Sequence, residues 1–445
     1  MKDSKLKYAY RCALALSTAL LSVVSLNACS HHQPDISKLS QDHQQSTAAV
    51  VMISLDGFRW DYIDKYAAPN LRAIAANGVR AEQLLPVYPS KTFPNHISLI
   101  TGLYPTHHGI VDNRFCDKQR QQCYKMGMGK DDSSWISGIP LWNLAEINGV
   151  KSATYFWPES DARINGMTPS YYYHYAKPAP YEARVQQILA WLQLPPAARP
   201  QFVAGYFSLV DTQGHHFGPD APQTEAAVVE VDRIIGLLRA GIKQLDEPVN
   251  LIVVADHGMT TIHHDQAMDY HQLDINNDHF QVVNGSTRLM LYAKPNTSAA
   301  EIAAERQRLA KRAAGRYQLV DESYLQDRHY VDSPRVADII LSTDAPRYFS
   351  SKSFADKAGD DDKNNIGGTH GYSDNPDMGA LFVAEGPAFK AGVTLPAFAN
   401  VNVYPLVAAL LQLPIDHPID GSISPLLPAL KPALSKNIMQ RNNNQ

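Results

Sequence analysis

No stretch of this 445-residue chain is both apolar enough and long enough to span a bilayer comfortably. The longest candidate, Ala13 to Leu26, falls short of the roughly 20 residues a spanning helix needs. Basic residues are not in excess either. The chain has 40 Lys and Arg against 44 Asp and Glu, a net charge of −4, with the cations scattered. That balance gives no electrostatic footprint for duplex nucleic acid, although it leaves room for a small anionic substrate held by metal ions. No internal repeat is seen. The hydrophobic share of 44% supports a sizeable core, in one large α/β domain or two to three ordinary ones.

Cysteine is scarce, and its four occurrences have separate fates. Lys2, Lys5, Lys7 and Arg11 precede the Ala13–Leu26 stretch, the pattern of an export signal over residues 1–28. Cys12 leaves with it. Leu26-Asn27-Ala28-Cys29 resembles a bacterial lipoprotein processing site with Cys29 as the acylated residue, and Ser30 after it resembles the outer-membrane sorting pattern. A plain secreted form is the alternative. Residues 29–48 are polar and read as a flexible tether. The chain is therefore expected in the periplasm or cell envelope, touching a membrane only through a lipid anchor. Cys116 and Cys123 remain. An oxidising compartment favours a local disulfide between them; the rival, a metal pair, lacks two further nearby ligands.

Apolar runs and helical spacings alternate along the rest. Strands are expected at Val50–Leu55, Lys151–Trp157, Phe202–Val210, Leu251–Ala255, Leu289–Tyr292 and Ala380–Ala384. Helices are expected at Pro69–Asn77, closed by Gly78 in the C′ position, and from Phe93 to Ile100 before Gly102. Others follow at Tyr181–Leu192, Thr224–Leu245 and Ala299–Ala314, and a final one at Val403–Leu411. Such alternation predicts an α/β fold: a mostly parallel central sheet with helices on both faces, in a single catalytic domain over residues 49–430. Asp344 to Gly367 reads as a surface loop, and residues 431–445 as a disordered tail.

Three of the expected strands finish in a carboxylate. Asp56 follows Leu55, Asp211 follows Val210, and Asp256 follows Ala255. Open α/β sheets place ligands at the carboxyl ends of their strands. Three histidines accompany them: His215, His257 and His370. Singly, each has a plainer reading. An Asp-His pair is commonly a turn, Asp211 to Gly214 fits an Asx-turn, and Gly-rich loops carry histidines for many reasons. Together, three carboxylates and three imidazoles are the inventory of a two-metal site that clamps the attacking and leaving oxygens of an in-line displacement. Thr92, placed at a helix start where the dipole favours an anion, supplies a hydroxyl nucleophile.

At Ser54-Leu55-Asp56-Gly57-Phe58-Arg59, Lys91-Thr92-Phe93-Pro94-Asn95-His96, Thr101-Gly102-Leu103-Tyr104-Pro105, His108-Gly109-Ile110-Val111-Asp112-Asn113, Phe156-Trp157-Pro158, Asp256-His257-Gly258-Met259 and His370-Gly371, the chain resembles a family. It is similar to bacterial ectonucleotide pyrophosphatase/phosphodiesterases of the alkaline-phosphatase superfamily, from about Val50 to Leu427. The resemblance implies that Asp211, His215 and His370 hold one zinc ion and that Asp56, Asp256 and His257 hold the other, with Thr92 bound to it as nucleophile. It implies that Asn113 holds a phosphoryl oxygen, and that Lys91 adds positive charge unless it is simply solvated. Phe93 and Tyr175 would sandwich a base, with Trp157 and Asp161 shaping the base and sugar pocket. The implied activity is zinc-dependent cleavage of nucleotide phosphodiester or pyrophosphate bonds through a threonyl-nucleotide intermediate. The alternative is the same chemistry on a choline phosphodiester such as glycerophosphocholine, which needs an acidic and aromatic cage. Cysteine-rich modules and a second nuclease-like domain, both present in animal members, have no counterpart in these residues. The sulfatase pattern is absent at Thr92, because Pro94 is followed by Asn95.

Overall fold

The computed structural model describes residues 48–351 and 365–442. The expected signal, Cys29 and the tether up to residue 47 lie outside them. The described residues fall within one compact unit, Ser46–Gln445. Among them, no helix is long and apolar enough to cross a membrane.

An eight-stranded sheet organises the chain. Its strands are β1 (Ala49–Leu55), β2 (Val79–Ala81), β3 (Ser152–Tyr155), β4 (Tyr171–Tyr173), β5 (Phe202–Phe207), β6 (Val249–Val254), β7 (Phe382–Glu385) and β8 (Val393–Leu395), in spatial order β8-β2-β7-β6-β1-β5-β3-β4. The sheet is mostly parallel; β7 alone runs antiparallel to both its neighbours, β6 and β2. β1 lies at the centre, with Val50 opposite Phe202 on one side and Ala49 opposite Val249 on the other. Every residue of β1, β5 and β6 is buried. Strands covered on both faces read as unbroken apolar runs, which is why these three were legible as strands.

Helices α1 (Pro69–Asn77), α3 (Tyr181–Leu192) and α5 (Pro222–Ile242) pack together, as do α2 (Thr92–Thr101) and α6 (Val403–Leu410). Gly78 ends α1, but its φ is −151°, so it is not the left-handed cap expected of it. Glycine is needed there for a different reason. A Cβ would come within 2.0 Å of the Ala384 carbonyl oxygen on β7.

Three further expectations are corrected, and one expected strand finds its place outside the central sheet. β5 stops at Phe207, and Leu209–Phe217 forms a helix, α4. Leu209 and Val210 continue the apolar run in sequence but belong to that helix's first turn. Leu289–Tyr292 is a strand of a separate antiparallel sheet, built from Phe280–Asn284, Arg288–Ala293, Ile339–Ser342 and Gln318–Leu319. This sheet lies between β6 and β7 in sequence and has its own small core of Phe280, Leu289, Leu291, Leu309 and Leu341. The segment from Asp344 to Gly367 is not all loop. Tyr348–Ser350 is a buried strand paired with Ala267–Asp269, and Ile366–Thr369 pairs with Thr260–His263; residues 352–364 lie outside the described set. Finally, the tail carries helix α7 (Pro432–Asn442), whose Leu434 and Ile438, one turn apart, pack onto the main core.

Candidate metal centre and substrate cavity

The site grows from the three central strands. β5, β1 and β6 are neighbours, so the chain leaving each one arrives at the same edge of the sheet. Asp56 follows β1 directly, and Asp256 follows β6 after Ala255. Asp211 comes in the first turn of α4, not at a strand end, with His215 one turn further on. Positions i and i+4 share a helix face, and His215 Nε2 lies 3.3 Å from Asp211 Oδ1. Gly57 makes the convergence possible. Its φ is +69°, a Cβ would meet the Asp211 Cα at 2.9 Å, and its N–H donates to Asp256 Oδ1 at 3.2 Å.

All six expected ligands are brought together. Asp211, His215 and His370 form one group, and Asp56, Asp211 and His257 a second, so Asp211 faces both. Asp256 Oδ2 adds to the second at 2.9 Å from His257 Nε2. Thr92 Oγ1 lies 3.2 Å from that same nitrogen. The imidazoles are tied from behind. Nδ1 of His215, His257 and His370 each bonds a backbone carbonyl, of Gly368, Gly258 and Ser90, at 2.8 to 2.9 Å. That fixes Nδ1 as the donor and leaves each Nε2 lone pair free for a cation. The rings of His257 and His370 stack, with centroids 3.5 Å apart.

Electrostatics point the same way. Burial, then the charges of Asp256 and Asp211, raise Asp56 well above the usual carboxylate range. Burial, then Asp211, push Asp256 up to about 8. Burial works to raise Asp211 too, but the His215 imidazole pulls it below its ordinary value. Burial opposes protonation of His215, yet Asp211 raises it to about 9. Burial lowers His257 and His370. Asp56 Oδ1, Asp211 Oδ1 and Asp256 Oδ2 are buried without a hydrogen-bond partner. Buried acceptors left unpaired are costly, and three of them converging beside three oriented imidazoles fit divalent cations.

A cavity of about 530 Å3 opens from this cluster, lined among others by Asp56, Thr92, Asp211, His215 and His370. Phe93, Asn113, Trp157, Asp161 and Tyr175 line it as well. Thr92 begins α2, as expected. The next N–H, of Phe93, is taken by Asn113 Oδ1 at 2.9 Å, which turns the Asn113 amide NH2 to the cavity side. Trp157 is a buried wall, its Nε1 donating to the His96 carbonyl. Asp161 accepts from His174 Nδ1 at 2.8 Å.

Lys91 departs from its expected place. It neither lines the cavity nor meets solvent: it is buried, and Nζ donates to the His370 carbonyl at 2.7 Å. Burial drops it to about 8. It therefore braces the His370 loop from below. Sequence reasoning missed Tyr206, whose hydroxyl donates to Asp56 Oδ2. It also gave no role to His96, bonded to the Thr92 carbonyl and to Ser54 Oγ at 2.8 Å each. The i, i+4 spacing of Thr92 and His96 was a readable signal; the approach of Tyr206 from the neighbouring strand was not. Cys116 and Cys123 form a disulfide across the hairpin Arg114–Asp117/Gln122–Lys125 that follows Asn113.

A family model described as type I phosphodiesterase/nucleotide pyrophosphatase matches residues 50–373. The chain belongs to this family. Venom phosphodiesterase of Naja atra is 34% identical over 380 residues, covering 82% of this chain and 44% of that protein. Ectonucleotide pyrophosphatase/phosphodiesterase family member 3 of Rattus norvegicus is 33% identical over 384 residues, covering 82% and 42%. The chain thus spans less than half the length of these relatives. Murine ectonucleotide pyrophosphatase/phosphodiesterase 5, solved as an inactive threonine-to-alanine variant in complex with AMP, superposes with a TM-score of 0.77 at 28% identity. It covers 86% of this chain and 100% of that one.

Proposed function

We propose that this chain hydrolyses nucleotide phosphodiester or pyrophosphate bonds, with Thr92 as the nucleophile and two zinc ions as cofactors. Asp211, His215 and His370 would hold one ion, and Asp56, Asp256 and His257 the other. When bound, the ions supply Lewis-acid stabilisation of the attacking oxygen and of the charge on the phosphoryl group. One observation carries the reading: Thr92 Oγ1 sits 3.2 Å from His257 Nε2, beside three buried carboxylate oxygens, Asp56 Oδ1, Asp211 Oδ1 and Asp256 Oδ2, that have no hydrogen-bond partner.

Thr92 Oγ1 gives its proton to solvent and attacks phosphorus; the bond to the leaving oxygen breaks, that oxygen takes up a proton from solvent as it requires, and a nucleotidyl-threonine forms. Water then attacks phosphorus, the Thr92 ester bond breaks, and nucleoside monophosphate leaves as the hydroxyl recovers its proton. Asn113 offers its amide N–H to a phosphoryl oxygen, pre-set by the bond from the Phe93 N–H to its carbonyl oxygen. Phe93 and Tyr175 stack on the base, and Trp157 and Asp161 shape its surroundings. Lys91 acts through the His370 loop, not on substrate.

The AMP complex of the murine relative supports a nucleotide ligand. The choline alternative requires a free carboxylate near the aromatic mouth. Asp161 is engaged by His174, whereas Glu159 is held by Tyr124 and the Gly129 N–H through Oε1 alone and keeps Oε2 unpaired in the cavity wall, so the AMP complex and not the carboxylates favours the nucleotide reading. Residues 1–28 as export signal, Cys29 as a lipid-bearing residue and a location in the periplasm or envelope complete the proposal. Metabolic labelling with a fatty-acid probe tests the anchor.

The deciding assay presents the zinc-loaded protein with ATP, a dinucleoside polyphosphate, a cyclic dinucleotide, glycerophosphocholine and a phosphate monoester at matched concentrations. Preference for the nucleotide diesters and pyrophosphates supports the reading. Preference for glycerophosphocholine moves it to the alternative, and preference for the monoester overturns both.

A further inference from the structure

The antiparallel sheet between β6 and β7 supplies no cavity-lining residue described above, yet one strand end of it reaches both catalytic loops. Arg288 opens the strand Arg288–Ala293 and is fully buried. Its Nη2 donates to Asp112 Oδ2. The other oxygen, Asp112 Oδ1, accepts the backbone N–H of Asn113 at 2.7 Å and of Arg114 at 3.5 Å. Asp112 is therefore a strut with the sheet on one oxygen and the Asn113 backbone on the other. The Arg288 guanidinium also lies over the rings of Tyr88 and Tyr330, 4.8 and 5.5 Å from their centroids, so it cannot swing. The preceding residue holds the second loop. Thr287 Oγ1 donates to the Gly371 carbonyl at 2.8 Å, next to His370.

A fully buried ion pair is a poor way to gain stability, because the desolvation of both charges offsets their attraction and packed hydrocarbons of the same volume do as well. What such a pair does provide is a fixed, directional geometry. Here that geometry ends on the residue whose amide faces the cavity.

We propose that Arg288 is a positioning residue for phosphoryl transfer: through Asp112 it orients Asn113 so that its amide meets the phosphoryl oxygen. The inference rests on the role given to Asn113 under the proposed function. A lost or misdirected oxyanion donor acts on the chemical step and not on the binding of the base.

The test is a double-mutant cycle in the zinc-loaded full chain, read on a small aryl phosphodiester that carries no base. Arg288→Gln should lower kcat about tenfold or more while KM stays within about twofold, since a misaligned donor forfeits much of the 100- to 1000-fold such a group supplies. Arg288→Lys should recover part of the loss. In an Asn113→Ala background, Arg288→Gln should change kcat by less than about twofold, because there is no longer an amide to orient. Arg239→Gln, which breaks the Arg239–Glu385 pair between α5 and β7, is the control: it should lower Tm without moving kcat. If Arg288→Gln does not yield folded protein, Asp112→Asn enters the same cycle, keeping an acceptor for the Asn113 N–H while weakening the link to Arg288. Loss of Tm with unchanged kcat overturns the proposal. So does a full, multiplicative loss on top of Asn113→Ala. An Asn113→Ala single variant with wild-type kcat refutes the Asn113 assignment itself, a separate failure visible before Arg288 is touched.

Discussion

The floor and the mouth of the cavity are built differently. On the floor, Asp56, Asp256, His257 and His370 are almost wholly buried, they follow strands or flank a strand end, and each imidazole is fixed by a backbone carbonyl. At the mouth, Tyr173 and Tyr175 are 44% and 52% exposed and come from the edge strand β4 and the loop after it. The floor is pre-organised by the sheet itself, whereas the mouth is an arrangement of side chains. Chemistry at phosphorus should therefore depend on the floor and the groups that brace it, and substrate choice on the mouth. Both halves of that statement can be broken.

The largest effect is expected on the floor. Asp211 is proposed to hold one ion and also faces the second group, so Asp211→Asn should strip the first ion, weaken the second and abolish turnover, whereas His370→Ala should deplete the first only. Elemental analysis per chain distinguishes them; equal metal loss in the two variants would dissolve the two-group description.

At the mouth, Phe93→Ala or Tyr175→Ala should raise KM for ATP roughly tenfold, as one base stack is worth about 1–3 kcal/mol. Turnover of a base-free aryl diester should change little. Equal losses on both substrates would make these rings part of the framework instead.

The pH dependence of stability gives a smaller signal, specific to the floor. Asp256 at about 8 and His215 at about 9 both stand above their unfolded values, so each favours folding while protonated and withdraws that contribution as pH rises through it. The depressed His257 and His370 are already neutral above pH 7 and add no slope there. Lys91, lowered to about 8, works in the opposite sense above that pH, so chelated protein should lose Tm between pH 7 and pH 8, and zinc-loaded protein should not. A flat Tm after exhaustive chelation would contradict the cation-shaped floor. Smallest of all, reducing the Cys116–Cys123 disulfide should raise hydrogen exchange in the hairpin after Asn113 and leave the central sheet protected.

Much of this was readable beforehand where local signals were strong. Tyr181–Leu192 and Pro69–Asn77 have the expected bounds because proline or glycine punctuates their ends. The six side chains that the structure brings together were readable as a group because each sits in a recognisable local motif. The sequence alone points Asp211 to a strand end, because the apolar pair Leu209-Val210 looks the same in a strand and in a buried helical turn. α7 was missed because two apolar residues a turn apart are hidden in a polar, Asn-rich tail. Lys91 and Arg288 were not legible as buried braces, since their partners are a carbonyl 279 residues away and a carboxylate 176 residues away.

The central claim is that Thr92 does the chemistry while other side chains hold the metal. Thr92→Ala, assayed for metal content and for diester turnover in the same preparation, tests it directly. Wild-type metal occupancy is expected, with turnover reduced by far more than about tenfold, since a lost nucleophile removes several kcal/mol of barrier lowering. Residual turnover within about tenfold of wild type, at full metal occupancy, would contradict it.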